Sequence, residues 1–346
     1  MTESSFIRAR VANGVGEVVL DRPSALNALD SSMIRDLYAP LSEWRDDPQV
    51  TAVLVTSASD RAFCAGGDIK SVRDAALAGD TDRVRAYFAE EYRLDELVAT
   101  YPKPYLALLD GVTMGGGLGI SVHGAVRVVS ENAMLAMPET AIGFIPDVGA
   151  SHFLPRLRGT TARCDAVGMY LGLSGARVSA GDALAVGLAT HFVPSDRIGA
   201  LADRIRAGEW QDALDEFAEP APESELADRF TDIEQVFGDG TVADIVTRLD
   251  DDTLGDPAWA TQTRDALRAL SPTSLYATAE LLRRGAESTL SECFARELDV
   301  AVRICGEPDF AEGVRAVLVD KDRNPSWSPK TIEDIDPARI AALFED

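Results

Sequence analysis

The sequence predicts an α/β protein whose C-terminal half is mostly helical. Through the first 195 residues, short apolar runs rich in β-branched residues alternate with helical patterns. An Asn-Gly dipeptide between two short strand-like runs opens the chain with a hairpin. From Asp196 the character changes, and residues 196–270 are acidic and helical in pattern. These observations divide the chain into a core over 1–195 and a helical region over 196–346. The latter is expected to cover a pocket, to make oligomer contacts, or both.

Residues 6–20 form the hairpin, with Asn13-Gly14 at its turn, and Asp21-Arg22-Pro23 ends the second strand. A helix follows from Ser31 to Trp44, with Asp30 or Ser31 as its cap. Met33, Ile34, Leu37, Leu41 and Trp44 fall at helical spacing along it. Val50–Thr56 reads as a buried strand, and the loop 62–70, AFCAGGDIK, follows it. Tyr105–Leu109 is a strand leading into the loop 111–119, GVTMGGGLG, and Val126–Val129 is another. A helical pattern resumes over 159–173, and residues 187–194 read as a turn, a short strand and a stop. Ser271-Pro272 starts a helix, with Ser as cap and Pro at the first position. Residues 292–305 and 310–321 are two more helices, and 324–330 is rich in turn residues.

The net charge of −24 argues against nucleic acid and anionic membrane surfaces as partners. It leaves room for an anionic small ligand held by a local cluster of Arg and Lys. Cys64, Cys164, Cys293 and Cys305 are scattered without CxxC spacing, so zinc and redox motifs are unsupported. No apolar run reaches the length of a membrane span, and MTESSFIRAR lacks the apolar stretch of a secretion signal. A cytoplasmic protein without metal or cofactor is the expectation.

Two features carry chemistry. The first is the segment 137–158, MPETAIGFIPDVGASHFLPRLR, which places Glu139 and Asp147 among apolar neighbours. Glu139 follows Pro138, and Asp147 lies on a turn between Pro146 and Gly149. Desolvation there disfavours the charged carboxylate and prepares it for proton transfer near neutral pH. The competing reading makes Glu139 a helix cap and Asp147 a turn closure. The second feature is the pair of glycine loops, each following a strand and entering a helix. Gly67 and Gly116 lie where free amides meet a helix start, and two such donors on one oxygen make an oxyanion hole. Tight packing is the alternative for either loop alone. Neither loop has the Gly-Lys-Ser/Thr of a P-loop or the spacing of a dinucleotide fingerprint. Cys64 has no activating base in the sequence and reads as a small buried residue beside its loop. His123, His152 and His191 read as structural, and Met114, Met134 and Met137 as core.

With RPSALNAL (22–29), AFCAGGDIK (62–70), GVTMGGGLG (111–119) and the Pro-Glu-Thr order after Met137, the chain resembles the crotonase (enoyl-CoA hydratase/isomerase) superfamily. The resemblance implies a spiral core of ββα units and an acyl-CoA ligand whose thioester carbonyl is polarised by the amides of Gly67 and Gly116. Further segments, EEYRLDELV (90–98), SPTS (271–274) and EGVRAVLVDKDRNPSW (312–327), are similar to the branch that hydrolyses short-chain 3-hydroxyacyl-CoA thioesters. That branch implies Glu139 and Asp147 as the catalytic pair, with Glu91 and Gly116 in the substrate pocket. 3-Hydroxyisobutyryl-CoA, an intermediate of valine breakdown, is the substrate it implies. The family positions near CoA match Arg22, Ala25, Leu26, Ala65, Asp68 and Ile69, and Lys70 and Lys321 are the candidate phosphate partners. Gly119 stands where hydratases of the superfamily carry a glutamate, and Asp147 where they carry a small residue. The substitution points away from hydration and toward another use of a bound acyl-CoA. A hydratase or isomerase, and a non-catalytic acyl-CoA binder, are the readings to be beaten. The superfamily also implies a homo-oligomer, a trimer or a dimer of trimers.

Overall fold

The computed structural model describes residues 6–159, 165–251 and 254–345. Cys164 and the first residues of the helix expected over 159–173 lie outside them, and the described helix there is Asp165–Ser174. The residues group into two compact units that interleave along the chain. The first comprises Met1–Asp68, Glu90–Leu135 and Val178–Glu225, and the second Ile69–Ala89, Ala136–Arg177 and Leu226–Asp346. The boundary read at 195 follows composition, whereas these units follow packing.

In chain order the strands are β1 Ile7–Ala12, β2 Val15–Leu20, β3 Ala52–Ser57, β4 Ala62–Cys64, β5 Tyr105–Leu109, β6 Val112–Met114, β7 Val126–Val129, β8 Met134–Ala136 and β9 His191–Phe192. Six of them form a sheet in the order β1-β2-β3-β5-β7-β9. Only the β1–β2 hairpin is antiparallel; the pairs from β2 to β9 are parallel. Asn13 and Gly14 both take positive φ at the hairpin turn, as a two-residue loop with the right twist requires. The inner strands β3 and β5 are buried along almost their whole length, which is why they read as unbroken apolar runs. Leu54, Leu106, Leu108, Val126 and Val128 pack with Leu201, Ala202 and Ile205 of the helix Ser195–Arg206. The strands β4, β6 and β8 form a second, three-stranded sheet. Their three-residue length hides them from any period-2 reading, and β4 and β6 fall within the segments 62–70 and 111–119 that read as loops.

In the second unit the helices Pro272–Ala286, Leu290–Cys305 and Pro308–Val314 follow one another. Ser271 caps the first, and Thr289 with Glu292 forms a capping box on the second. The helix expected over 310–321 instead ends at Val314 and widens into a π-helical turn over Arg315–Val319. Glycines let these helices approach the segment that carries Glu139 and Asp147. A Cβ at Gly313 would overlap the Ile142 backbone, one at Gly143 the Asp309 backbone, and one at Gly285 the Ser151 carbonyl. Phe144 is fully buried between Phe88, stacked at 5.3 Å, and Phe310 at 5.7 Å. Its burial contributes about 2–3 kcal/mol toward holding that segment down.

One buried amide fixes the geometry of the 22–29 turn and ties it to β4. Asn27 has φ +58 and no exposed surface. Its Oδ1 accepts the Arg22 N–H at 2.8 Å, and its Nδ2 donates to Ser57 Oγ at 2.8 Å and to the Phe63 carbonyl at 2.9 Å. Asn27→Ala orphans these groups and is expected to lower unfolding stability by about 3 kcal/mol. Urea denaturation at constant m-value checks this.

Candidate active site

In the first unit the two glycine loops meet. The loop after β4 is stitched to residues 26–29: Ala65 N–H donates to the Leu26 carbonyl at 3.0 Å, and Asp68 N–H to that of Leu29 at 2.8 Å. Leu29 N–H in turn donates to the Gly66 carbonyl at 2.8 Å. This explains why RPSALNAL and AFCAGGDIK occur together: each supplies the other's backbone partners. After β6, the helix Gly116–Val122 starts behind Gly115, whose backbone has φ +47. A Cβ at Gly117 would overlap the Cys64 carbonyl, so only glycine permits this approach. A Cβ placed on Gly116 would lie 3.4 Å from the amide nitrogen of Gly67 and would overlap Glu91 Oε1. Among the described residues, the loop amides of Ala65, Asp68, Leu118 and Gly119 donate to backbone carbonyls, while those of Gly67 and Gly116 do not. The two donors expected from the sequence are therefore neighbours, with the Glu91 carboxylate beside them.

Glu91 lies on the helix Thr81–Ala99 and is only 2% exposed, so it does not sit on a solvated face of that helix. One turn later Asp95 is fully buried. The i, i+4 spacing of Glu91 and Asp95 in the sequence puts both acids on one face. Cys64 donates its thiol to the Asn27 carbonyl at 3.1 Å. Burial, and then the charges of Glu91 and Asp95, push that thiol up to about 12. A thiol so disposed is no nucleophile at neutral pH.

The CoA-position candidates of this unit are accounted for mainly by one another. The Arg22 guanidinium donates to the Ala28 carbonyl at 2.7 Å and to Asp68 at 3.1 Å, and lies over the Phe6 ring. Ala25, Leu26 and Ala65 are partly exposed along the same loops. Ile69 and Lys70 belong to the second unit, at the start of the helix Ile69–Leu77, where Lys70 is exposed. Lys321 is also exposed, with φ +59. The flanking Asp320 and Asp322 both turn to Arg315, at 2.7 Å each, leaving the Lys321 ammonium to project from the turn.

In the second unit Glu139 is 7% exposed and begins the short 3-10 helix Glu139–Ile142; its carbonyl accepts from Phe144 N–H at 3.0 Å. Asp147 is 5% exposed. It is followed by Val148 at φ +53 and Gly149 at φ +84. A left-handed β-branched residue costs on the order of 1–3 kcal/mol and persists only where its surroundings enforce it. Next to this pair stands Glu297, fully buried on the helix Leu290–Cys305. It accepts the N–H of Gly149 at 2.7 Å, the N–H of Ser151 at 2.9 Å and the Ser151 hydroxyl at 2.5 Å. Burial pushes its carboxyl up to about 7 despite these donors. Glu297 was readable in the sequence as a charge on the apolar stripe of 292–305, beside Cys293, Phe294, Val300 and Ile304. Of the histidines, His152 and His191 are both held below their usual range by burial, with nearby arginines adding to the effect.

The fold and these loops define the class. A family model described as enoyl-CoA hydratase/isomerase matches residues 15–344, and the chain belongs to that family, the crotonases. The protein named 3-hydroxyisobutyryl-CoA hydrolase, mitochondrial, of Gallus gallus is 41% identical over 347 residues, covering 96% of this chain and 86% of that protein. 3-Hydroxyisobutyryl-CoA hydrolase 1 of Arabidopsis thaliana is 39% identical, covering 100% and 93%. Among solved structures, a carnitinyl-CoA dehydratase from Mycobacterium thermoresistibile superposes with TM-score 0.92 at 36% identity, covering 99% of this chain and 97% of that one. An enoyl-CoA hydratase from Rhodobacter sphaeroides 2.4.1 gives 0.90 at 38% identity, covering 98% and 97%. Among the described residues no helix is long and apolar enough to cross a membrane.

Two outcomes follow from these environments. Cys64 stays a neutral thiol far above pH 8, so iodoacetamide should leave it unmodified in the native protein and label it after unfolding, as read by peptide mass spectrometry. Glu297 titrates near 7 folded and near 4.5 unfolded, so the unfolded chain releases this proton first. Its contribution to stability is therefore present below about pH 4.5 and is lost as pH rises through about 7. Over that window wild type should lose stability relative to Glu297→Gln, measured by denaturant melts at each pH.

Proposed function

We propose that this protein hydrolyses a short-chain 3-hydroxyacyl-CoA thioester, with 3-hydroxyisobutyryl-CoA as the substrate, releasing the free hydroxy acid and CoA. The observation that carries this reading is a pair of buried carboxylates, Glu139 and Asp147, in a chain that has Gly119 rather than an acid two residues past the glycine run. The names of the curated relatives support it. The amides of Gly67 and Gly116 would bind the carbonyl oxygen as negative charge develops on it. One such donor lowers the barrier by ~3 kcal/mol.

Two routes fit Glu139. As nucleophile it attacks the carbonyl carbon, the C–S bond breaks, and the thiolate leaves and is protonated. Water then cleaves the mixed anhydride to the acid and free Glu139. As base it takes a proton from a water that attacks the same carbon, and returns that proton to the departing sulfur. Asp147 orients the 3-hydroxyl or the water. Glu91, beside Gly116, faces the substrate's polar end. CoA lies along Arg22, Ala25, Leu26, Ala65, Asp68 and Ile69, with Lys70 and Lys321 toward its phosphates. The reading needs no cofactor. A homo-oligomer, as a trimer or a dimer of trimers, and a cytoplasmic location belong to the same proposal. The buried free thiols Cys64, Cys293 and Cys305 suit a reducing compartment, and the Gallus relative carries the word mitochondrial in its name.

The second reading is hydration of an enoyl-CoA, favoured by the likeness to the carnitinyl-CoA dehydratase and the enoyl-CoA hydratase at 36% and 38% identity. Thiol release from 3-hydroxyisobutyryl-CoA and turnover of crotonyl-CoA, followed in parallel, separate the two. Wild type should release thiol, and Glu139→Gln and Asp147→Asn should each lower kcat by about 100-fold or more. Thiol release undiminished in both variants, or crotonyl-CoA hydration as the dominant activity, would overturn the assignment.

A further inference from the structure

We propose that Glu297 is a positioning residue for Asp147, holding the turn that follows it in the one backbone arrangement that aims the Asp147 side chain. This rests on the reading of Asp147 as a member of the catalytic pair. Asp147 is followed by two residues of positive φ, Val148 and Gly149, and its carbonyl accepts the Ala150 N–H at 2.8 Å. Beyond that tight turn the Gly149 and Ser151 amides both donate to Glu297, as does the Ser151 hydroxyl.

The helix Ala150–Phe153 is a single turn, too short to need a buried charge for its own capping. A fully buried carboxylate is a costly way to satisfy two amides, unless their exact placement matters. The surroundings leave Glu297 as the polar clamp on this turn. Gly285 of the preceding helix packs bare against the Ser151 carbonyl, so that side fixes Ser151 by contact alone. The helix of Glu297 also carries Cys305, whose buried thiol is pushed up by the Asp147 charge after burial itself. One helix thus flanks the turn on both sides of Val148. The charged and titratable groups around Glu297 are Arg296 and Cys293 on its own helix, together with the Ser151 hydroxyl across from it. Arg156, which bonds the carbonyls of Gly285, Ala286 and Ser288, closes the neighbouring helix end.

The test is a double-mutant cycle on the full chain, with kcat and KM for thiol release from 3-hydroxyisobutyryl-CoA at pH 8. Residual rates are taken at high enzyme concentration. Glu297→Gln keeps the size of the side chain but sets an amide group against N–H donors. It should lower kcat about 10- to 100-fold while KM stays within about threefold, as for a misplaced catalytic group. In the Asp147→Asn background the same change should cost less than about threefold, because nothing remains to be aimed. Ser151→Ala removes one donor without orphaning a buried group. It serves if Glu297→Gln does not fold, and its loss should vanish in the same background. Unchanged kcat in Glu297→Gln beside an inactive Asp147→Asn overturns the positioning role and leaves the catalytic pair intact. Losses that multiply in the double variant overturn it likewise. Full activity of Asp147→Asn alone overturns the catalytic reading, and this proposal with it.

Discussion

Where Gly116 and Gly117 follow β6, the missing side chains let one backbone lie directly against another. A Cβ at Gly117 would occupy the Cys64 carbonyl, and one at Gly116 the Glu91 carboxylate. The amides of Gly67 and Gly116 lie side by side because no side chain stands between them. The rest of the first unit serves this approach. The parallel sheet delivers the loops to one place, Asn27 ties the 22–29 turn to β4, and Cys64 fills the space behind as an inert thiol.

The second unit solves a different problem: keeping two acids buried in defined positions on a segment with little regular structure. Over 137–149 the backbone makes a short 3-10 turn, an extended stretch and a left-handed pair. None of these is stable alone. They hold because Phe144 is packed on both sides, because glycines admit the helices to close range, and because Glu297 accepts the two amides that the turn sets free. Local strain at Val148 is thereby balanced by hydrogen bonds from a helix about 150 residues further along the chain.

Hydratase and hydrolase readings share the acyl-CoA frame and diverge only in where carboxylates stand. Adding water across a double bond requires an acid and a base disposed around one water; opening a thioester requires attack on a carbonyl whose charge is already stabilised. Gly119 is buried within the helix that begins at Gly116 and brings no carboxylate. Structural likeness to a dehydratase and a hydratase at TM-scores of 0.92 and 0.90 therefore speaks to the frame and not to the chemistry.

Much of this was legible in the residues. The hairpin, the buried strands β3, β5 and β7, the capped helices, both glycine loops and the candidates Glu139 and Asp147 all follow from local pattern, because period, caps and turn residues act over a few positions. The three-residue strands β4, β6 and β8 are too short to show a period. The widening of the helix over Arg315–Val319 is marked by no glycine or proline within it. The burial of Glu91 and Asp95 depends on what their helix packs against, which no local pattern records. Glu297 shows the division most sharply. The sequence by itself placed a charge on an apolar helix face, and only the tertiary structure decided that this charge would receive Gly149 and Ser151. The reason is that hydrogen-bond partners far apart in the chain are chosen by packing, whereas turns and caps are chosen by their nearest neighbours.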